Sequence, residues 1–63
     1  MTLKKMRLDC NLTQEDVANR LGYASKSGYN LMENGKVKPS IEQIVKLSEI
    51  FNMSISDIVD AVK

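Results

Sequence analysis

The chain has 63 residues, 43% hydrophobic and 27% charged, with a formal net charge of +1. That length holds one small domain, 1–63, which buries only about 60% of its unfolded surface and is marginal alone. One cysteine and no histidine exclude an intrachain disulfide, a structural zinc site of the usual Cys/His kind and any imidazole chemistry.

Helix-start and helix-stop signals alternate along the chain, and strand alternation is absent, so the reading is all-α. The first helix is expected over about 2–9, with Leu3 and Met6 one turn apart, and Asp9-Cys10-Asn11 ends it. Cys10 reads as a small packing residue near that helix end rather than a nucleophile, because no base stands ready to activate it. Thr13-Gln14-Glu15-Asp16 is a cap residue followed three positions later by an acid, starting a helix over 14–21 with Val17, Ala18 and Leu21 in one stripe. Gly22 is placed to end it in the left-handed conformation. Ser25 is a weaker cap for a helix over 26–33, which Asn34-Gly35 closes. Ser40-Ile41-Glu42-Gln43, after Pro39, starts a helix over 41–51, with Ile41, Ile44, Val45, Leu47 and Phe51 as its apolar face. Ser54-Ile55-Ser56-Asp57 starts the last helix, 55–62, with Ile55, Ile58, Val59 and Val62 on one side. Five short helices in one compact bundle are the expected architecture. No apolar run approaches the roughly 20 residues of a membrane helix. The basic N-terminus lacks the apolar stretch of a signal peptide, and Met1 favours a native start. A free thiol and four methionines fit a reducing cytoplasm.

The second and third helices are joined by the tight turn Leu21-Gly22-Tyr23-Ala24-Ser25. Two short helices so joined can form a helix-turn-helix, although ordinary bundles also contain such turns. The residues decide more than the spacing. Asn11-Leu12-Thr13-Gln14-Glu15-Asp16-Val17-Ala18, then Leu21-Gly22, then Glu33-Asn34-Gly35-Lys36 and Lys38-Pro39-Ser40, resemble the phage Cro/C1-type (XRE) helix-turn-helix family over nearly the whole chain, Leu3 to Val59. Between Leu21 and Gly35 the chain is one residue longer than the commonest family spacing, and the extra residue falls around Tyr23-Ala24-Ser25.

The resemblance implies a lambda-repressor-like fold and a third helix that enters the major groove of double-stranded DNA. Tyr29 and Met32 occupy family positions that point inward. Lys26, Ser27, Asn30 and Leu31 are then the outward, base-contacting set. Lys26 suits guanine O6/N7, Asn30 suits adenine N6/N7, and Leu31 reads either as a thymine-methyl contact or as a solitary exposed leucine. Gly28 weakens a helix interior; either close approach of DNA or local packing would keep it there. Gln14, at a helix N-terminus, is the family's backbone contact, and Thr13 caps the helix, touches a phosphate, or both. Asn34, Lys36 and Lys38 suit a second phosphate strand, or form a solvated turn. Arg7 and Glu33 match the family's ion pair between the first and third helices.

Charge supports the assignment. Residues 1–40 carry seven basic and four acidic side chains, net +3, and residues 41–63 carry two and four, net −2. The basic share lies on the half that resembles a DNA reader. So small a reader gains from pairing, and Ile55, Ile58, Val59 and Val62 are the expected homodimer interface, on a pseudo-palindromic operator. The function implied is a sequence-specific transcriptional regulator, a Cro-like protein or small repressor. The alternative is a protein-interaction module of the same fold, such as an antirepressor partner. An enzyme is excluded on chemistry, because the scattered acids sit mostly at helix starts, and no metal or cofactor site is evident.

Overall fold

The structure is a computed structural model, and it describes residues 1–62. It contains α1 (Leu3–Asp9), α2 (Gln14–Leu21), α3 (Lys26–Glu33), α4 (Ile41–Phe51) and α5 (Ile55–Ala61), with no strand among the described residues. Each helix starts on a hydroxyl side chain that accepts from a backbone N–H left free by helix geometry. In α2 the Thr13 hydroxyl accepts from Asp16 N–H at 3.0 Å, and the Asp16 carboxylate accepts from Thr13 N–H at 2.9 Å. Ser40 and Gln43 make the same reciprocal box at α4. Ser25 caps α3 through a longer bond to Ser27 N–H, 3.4 Å. Thr2 lies outside the first helix, contrary to the sequence expectation. It is the cap, accepting from Lys5 N–H at 3.1 Å.

The stops follow from backbone conformation. Gly22 ends α2 at φ +91°, and Asn52 ends α4 at φ +54°. Both lie in the left-handed region, where glycine is unstrained and asparagine is tolerated. Val62 closes α5 as its cap instead of extending it.

The core gathers one stripe from every helix: Leu3 and Met6, Val17, Ala18 and Leu21, Tyr29 and Met32, Leu47 and Phe51, and Ile58. Tyr29, Leu47, Ile58 and Val17 are its largest fully buried side chains. The helix-turn-helix pair α2–α3 packs closely, and α4 lies against both α2 and α5.

Two apolar faces read from the sequence divide in the fold. On α4, Leu47 and Phe51 are buried, whereas Ile41 is 83% exposed and Val45 is also exposed. Residues 41 and 45 sit roughly 100° round the helix from the 44/47/51 stripe, too far to share its contact. On α5, Ile58 is fully buried in the core, so it cannot face another molecule, and Val62 packs against that core. Only Ile55 and Val59 of the expected interface set remain exposed. Cys10 is at the end of α1 as expected, but it is exposed rather than packed, with Sγ 3.9 Å from the Phe51 carbonyl.

Candidate nucleic-acid interface

The outer face of α3 carries Lys26, Ser27 and Leu31, all exposed, and the half-buried Asn30. They are outward because Tyr29 and Met32 turn into the core, 0% and 4% exposed, and fix the rotation of the helix. With Gln14 these four residues line one shallow concavity. A second concavity runs along the start of α2, past Leu12, Thr13 and Glu15, and shares Gln14 and Lys26 with the first. There the helix leaves the Gln14 and Glu15 N–H groups without an intrahelical partner, at the positive end of its dipole. The Thr13 hydroxyl accepts from Asp16 N–H in its cap, and its own O–H is not used there.

Beneath this surface lies an ion pair. Arg7 Nε donates to Glu33 Oε2 at 2.9 Å and Arg7 Nη2 to Glu33 Oε1 at 3.1 Å, with side chains only 10% and 4% exposed. Arg7 Nη1 also donates to the Leu12 carbonyl at 3.0 Å, while Leu12 N–H bonds back to the Arg7 carbonyl at 3.1 Å. One arginine thus holds the α1–α2 turn and the end of α3 together. Burial pushes the Glu33 carboxyl up, but the donors around it, Arg7 foremost, outweigh that and hold it below its ordinary value. Its hydrogen bond to Glu33 holds the Arg7 guanidinium above its own, against burial. Burial likewise raises the Tyr29 hydroxyl, which lies by this pair with no partner in hydrogen-bond geometry among the described residues.

The amides extend the network. Gln14 Nε2 donates to Glu33 Oε1 at 3.1 Å, Asn30 Nδ2 to Gln14 Oε1 at 3.2 Å, and Asn34 Nδ2 to Asn30 Oδ1 at 3.1 Å. Gln14, Asn30 and Asn34, expected to reach DNA independently, are therefore joined to one another. Lys36 and Lys38 are exposed in the turn after α3. That turn is fixed by Gly35 N–H to the Met32 carbonyl at 3.1 Å and Lys36 N–H to the Leu31 carbonyl at 2.9 Å. The Gly35 and Lys36 N–H groups are thus spent internally, and the lysine side chains remain for an external anion.

Tyr23 and Gln43 belong to the site's scaffold, and sequence reasoning missed both. The Tyr23 ring lies over Gly28, where an added Cβ would meet it at 2.9 Å. Its hydroxyl accepts from Gln43 Nε2 at 2.8 Å. Packing therefore accounts for Gly28, and close approach of DNA is not needed. A glycine inside a short helix was the signal that could have led to it.

A capped two-helix unit, with one polar helix face turned outward and anchored by a buried ion pair, is a helix-turn-helix reader. The chain belongs to the Cro/C1-type helix-turn-helix family, whose helix-turn-helix model matches residues 3–58. It is 41% identical over 56 residues to an uncharacterized HTH-type transcriptional regulator of Methanocaldococcus jannaschii, covering 89% of this chain and 83% of that one. It is 36% identical over 56 residues to another from Archaeoglobus fulgidus, covering 89% and 78%. A cryptic phage CTXphi transcriptional repressor of Vibrio cholerae is 32% identical over 57 residues, covering 90% of this chain and 50% of the repressor. No solved structure gives a significant match. The family is one of DNA-binding transcriptional regulators, not enzymes. Among the described residues no helix is long and apolar enough to cross a membrane.

Proposed function

We propose that this chain is a sequence-specific transcriptional regulator of the cytoplasm that lays α3 in the major groove of an operator half-site. The observation that carries the reading is the pair of concavities sharing Gln14 and Lys26, one on the outer face of α3 and one at the start of α2. The first set, Lys26, Ser27, Asn30 and Leu31, meets base edges. Phosphates on one strand meet Thr13 and Gln14 with the free amides of α2, and those on the other meet Asn34, Lys36 and Lys38. Phosphate contacts position the helix, and base contacts select the sequence.

A homodimer on a pseudo-palindrome completes the proposal. Ile55 and Val59 stay exposed, 50% and 37%, one turn apart on α5, with Val62 at the edge of the patch. The molecule measures 27 × 23 × 18 Å. Two touching copies of that size can hold their α3 helices about 34 Å apart, the spacing of adjacent major grooves on one face of the duplex.

The test is a gel shift against promoter DNA from the same locus at two salt concentrations, with charge-reversal variants of Lys26, Lys36 and Lys38. A specific shift is expected that weakens with salt and disappears in the variants. Removing one phosphate-contacting lysine should reduce the salt slope by about one. No specific shift at low salt, from folded protein, would refute the reading.

A further inference from the structure

We propose that Glu33 sets the base preference of the recognition helix at a distance, by fixing which way the amides of Gln14 and Asn30 face. This rests on the reading of α3 as the DNA-reading helix. The four side chains form a chain of hydrogen bonds with one direction. It runs from Asn34 to Asn30 (3.1 Å), Asn30 to Gln14 (3.2 Å) and Gln14 to Glu33 (3.1 Å), donor to acceptor throughout.

That direction is dictated at one end only. A carboxamide carries a donor and an acceptor of nearly the same size, and both orientations fit the same space. Glu33 is an ionised carboxylate that accepts but cannot donate, and Arg7 keeps it ionised and fixed. Gln14 must therefore present Nε2 to it, which turns Oε1 toward Asn30. Asn30 must answer with Nδ2, which turns Oδ1 toward Asn34, and Asn34 answers with its own Nδ2. The bond to Gln14 leaves Asn30 one N–H, and the bond from Asn34 leaves its oxygen one lone pair. Adenine N7 and N6 require that donor and acceptor, in one order along the groove. A flipped Asn30 would present them in the reverse order. Glu33 and Gln14 are thus positioning residues, acting on DNA through Asn30.

The experiment selects preferred duplexes from a randomised DNA pool with the wild-type protein. Affinities are then measured for all four bases at each step of the selected site. Asn30→Ala identifies the step that Asn30 reads. Gln14→Leu leaves an apolar side chain one atom shorter, keeps the Arg7–Glu33 pair and removes the amide link. Its base discrimination at the Asn30 step is expected to fall by about tenfold, beyond any uniform loss of affinity. Glu33→Gln, which frees the direction of the chain, is expected to relax the same step. Where that variant fails to fold, as judged by circular dichroism, Gln14→Leu decides. If Gln14→Leu lowers affinity for every sequence equally and leaves the Asn30 step unchanged, Gln14 is only a phosphate contact and the proposal is overturned. If Asn30→Ala changes no step, it is overturned as well. If the folded wild-type protein selects no sequence, the DNA-reading assignment fails first, an outcome distinct from failure of the relay alone.

Discussion

Replacing Gly28 by alanine should destabilise the protein, although alanine is the better helix former. An interior Gly→Ala change by itself favours a helix by about 1 kcal/mol. Here the new Cβ would lie 2.9 Å from Tyr23 Cε1, 3.0 Å from Cδ1 and 3.2 Å from Cζ. These are three consecutive atoms of the rigid ring, so the whole ring has to retreat. The ring is tethered at its far end, where Tyr23 accepts from Gln43 Nε2 at 2.8 Å. Gln43 cannot follow freely, because its Oε1 accepts from Ser40 N–H at 2.9 Å in the cap of α4. Overpacking of this kind costs about 1–3 kcal/mol, and loss of the tether about 0.5–1.5 kcal/mol. Together they outweigh the propensity gain and leave a net loss of about 0.5–3.5 kcal/mol. In a Tyr23→Ala background the obstacle is gone, and the same Gly28→Ala change should stabilise by about 1 kcal/mol. Urea unfolding of the four proteins, followed by far-ultraviolet circular dichroism, reads both numbers as shifts in midpoint at constant slope. Equal stabilisation in both backgrounds would refute the reasoning, because Tyr23 would then be yielding at no cost.

The ion pair, the pH response and the α5 surface give three more tests. Arg7→Ala strands a carboxylate that is 4% exposed, and breaking a buried pair costs about 3–5 kcal/mol. Set against the few kcal/mol of stability of so small a chain, the melting temperature should collapse and DNA binding weaken; wild-type values for both would dismiss the pair as an anchor. Arg7→Lys should recover only part of the loss, since an ammonium cannot reproduce the two-pronged contact. Glu33 and Asp16 both have folded-state pKa values below their ordinary ones, 4.5 and 3.8. Their stabilising contribution is therefore complete above those values and lost as pH falls through the lowered ones. The melting temperature should drop through the acid range below about pH 4.5, and a flat profile there would count against both assignments. Ile55→Glu with Val59→Glu should leave the monomer folded, both side chains being exposed. The pair should lower the mass seen by light scattering at high concentration and weaken binding to a palindromic site more than to a half-site. Unchanged mass, with the wild-type protein dimeric, would place the interface elsewhere.

The sequence by itself determined the elements and their order. Capping residues and left-handed stops act within three or four neighbours, so Thr13, Ser40 and Gly22 could be read without knowing the rest of the chain. The inward turn of Tyr29 and Met32, and with it the outer face of α3, was legible too, through the family pattern. Tertiary structure alone decided which apolar residues share the core. Ile41 and Ile58 look alike in sequence, yet one is 83% exposed and the other fully buried, because burial depends on what lies opposite each helix. It also decided what the polar residues do. Gln14, Asn30 and Asn34 read as separate DNA contacts along the chain; the packing of α2 against α3 joins them to Glu33 and gives the amides a direction. Gly28 was ambiguous until Tyr23 was seen lying over it. The physical reason is common to all three cases. Caps and turns are local hydrogen bonds, whereas partners across the core are chosen by distances that the linear order of residues does not contain.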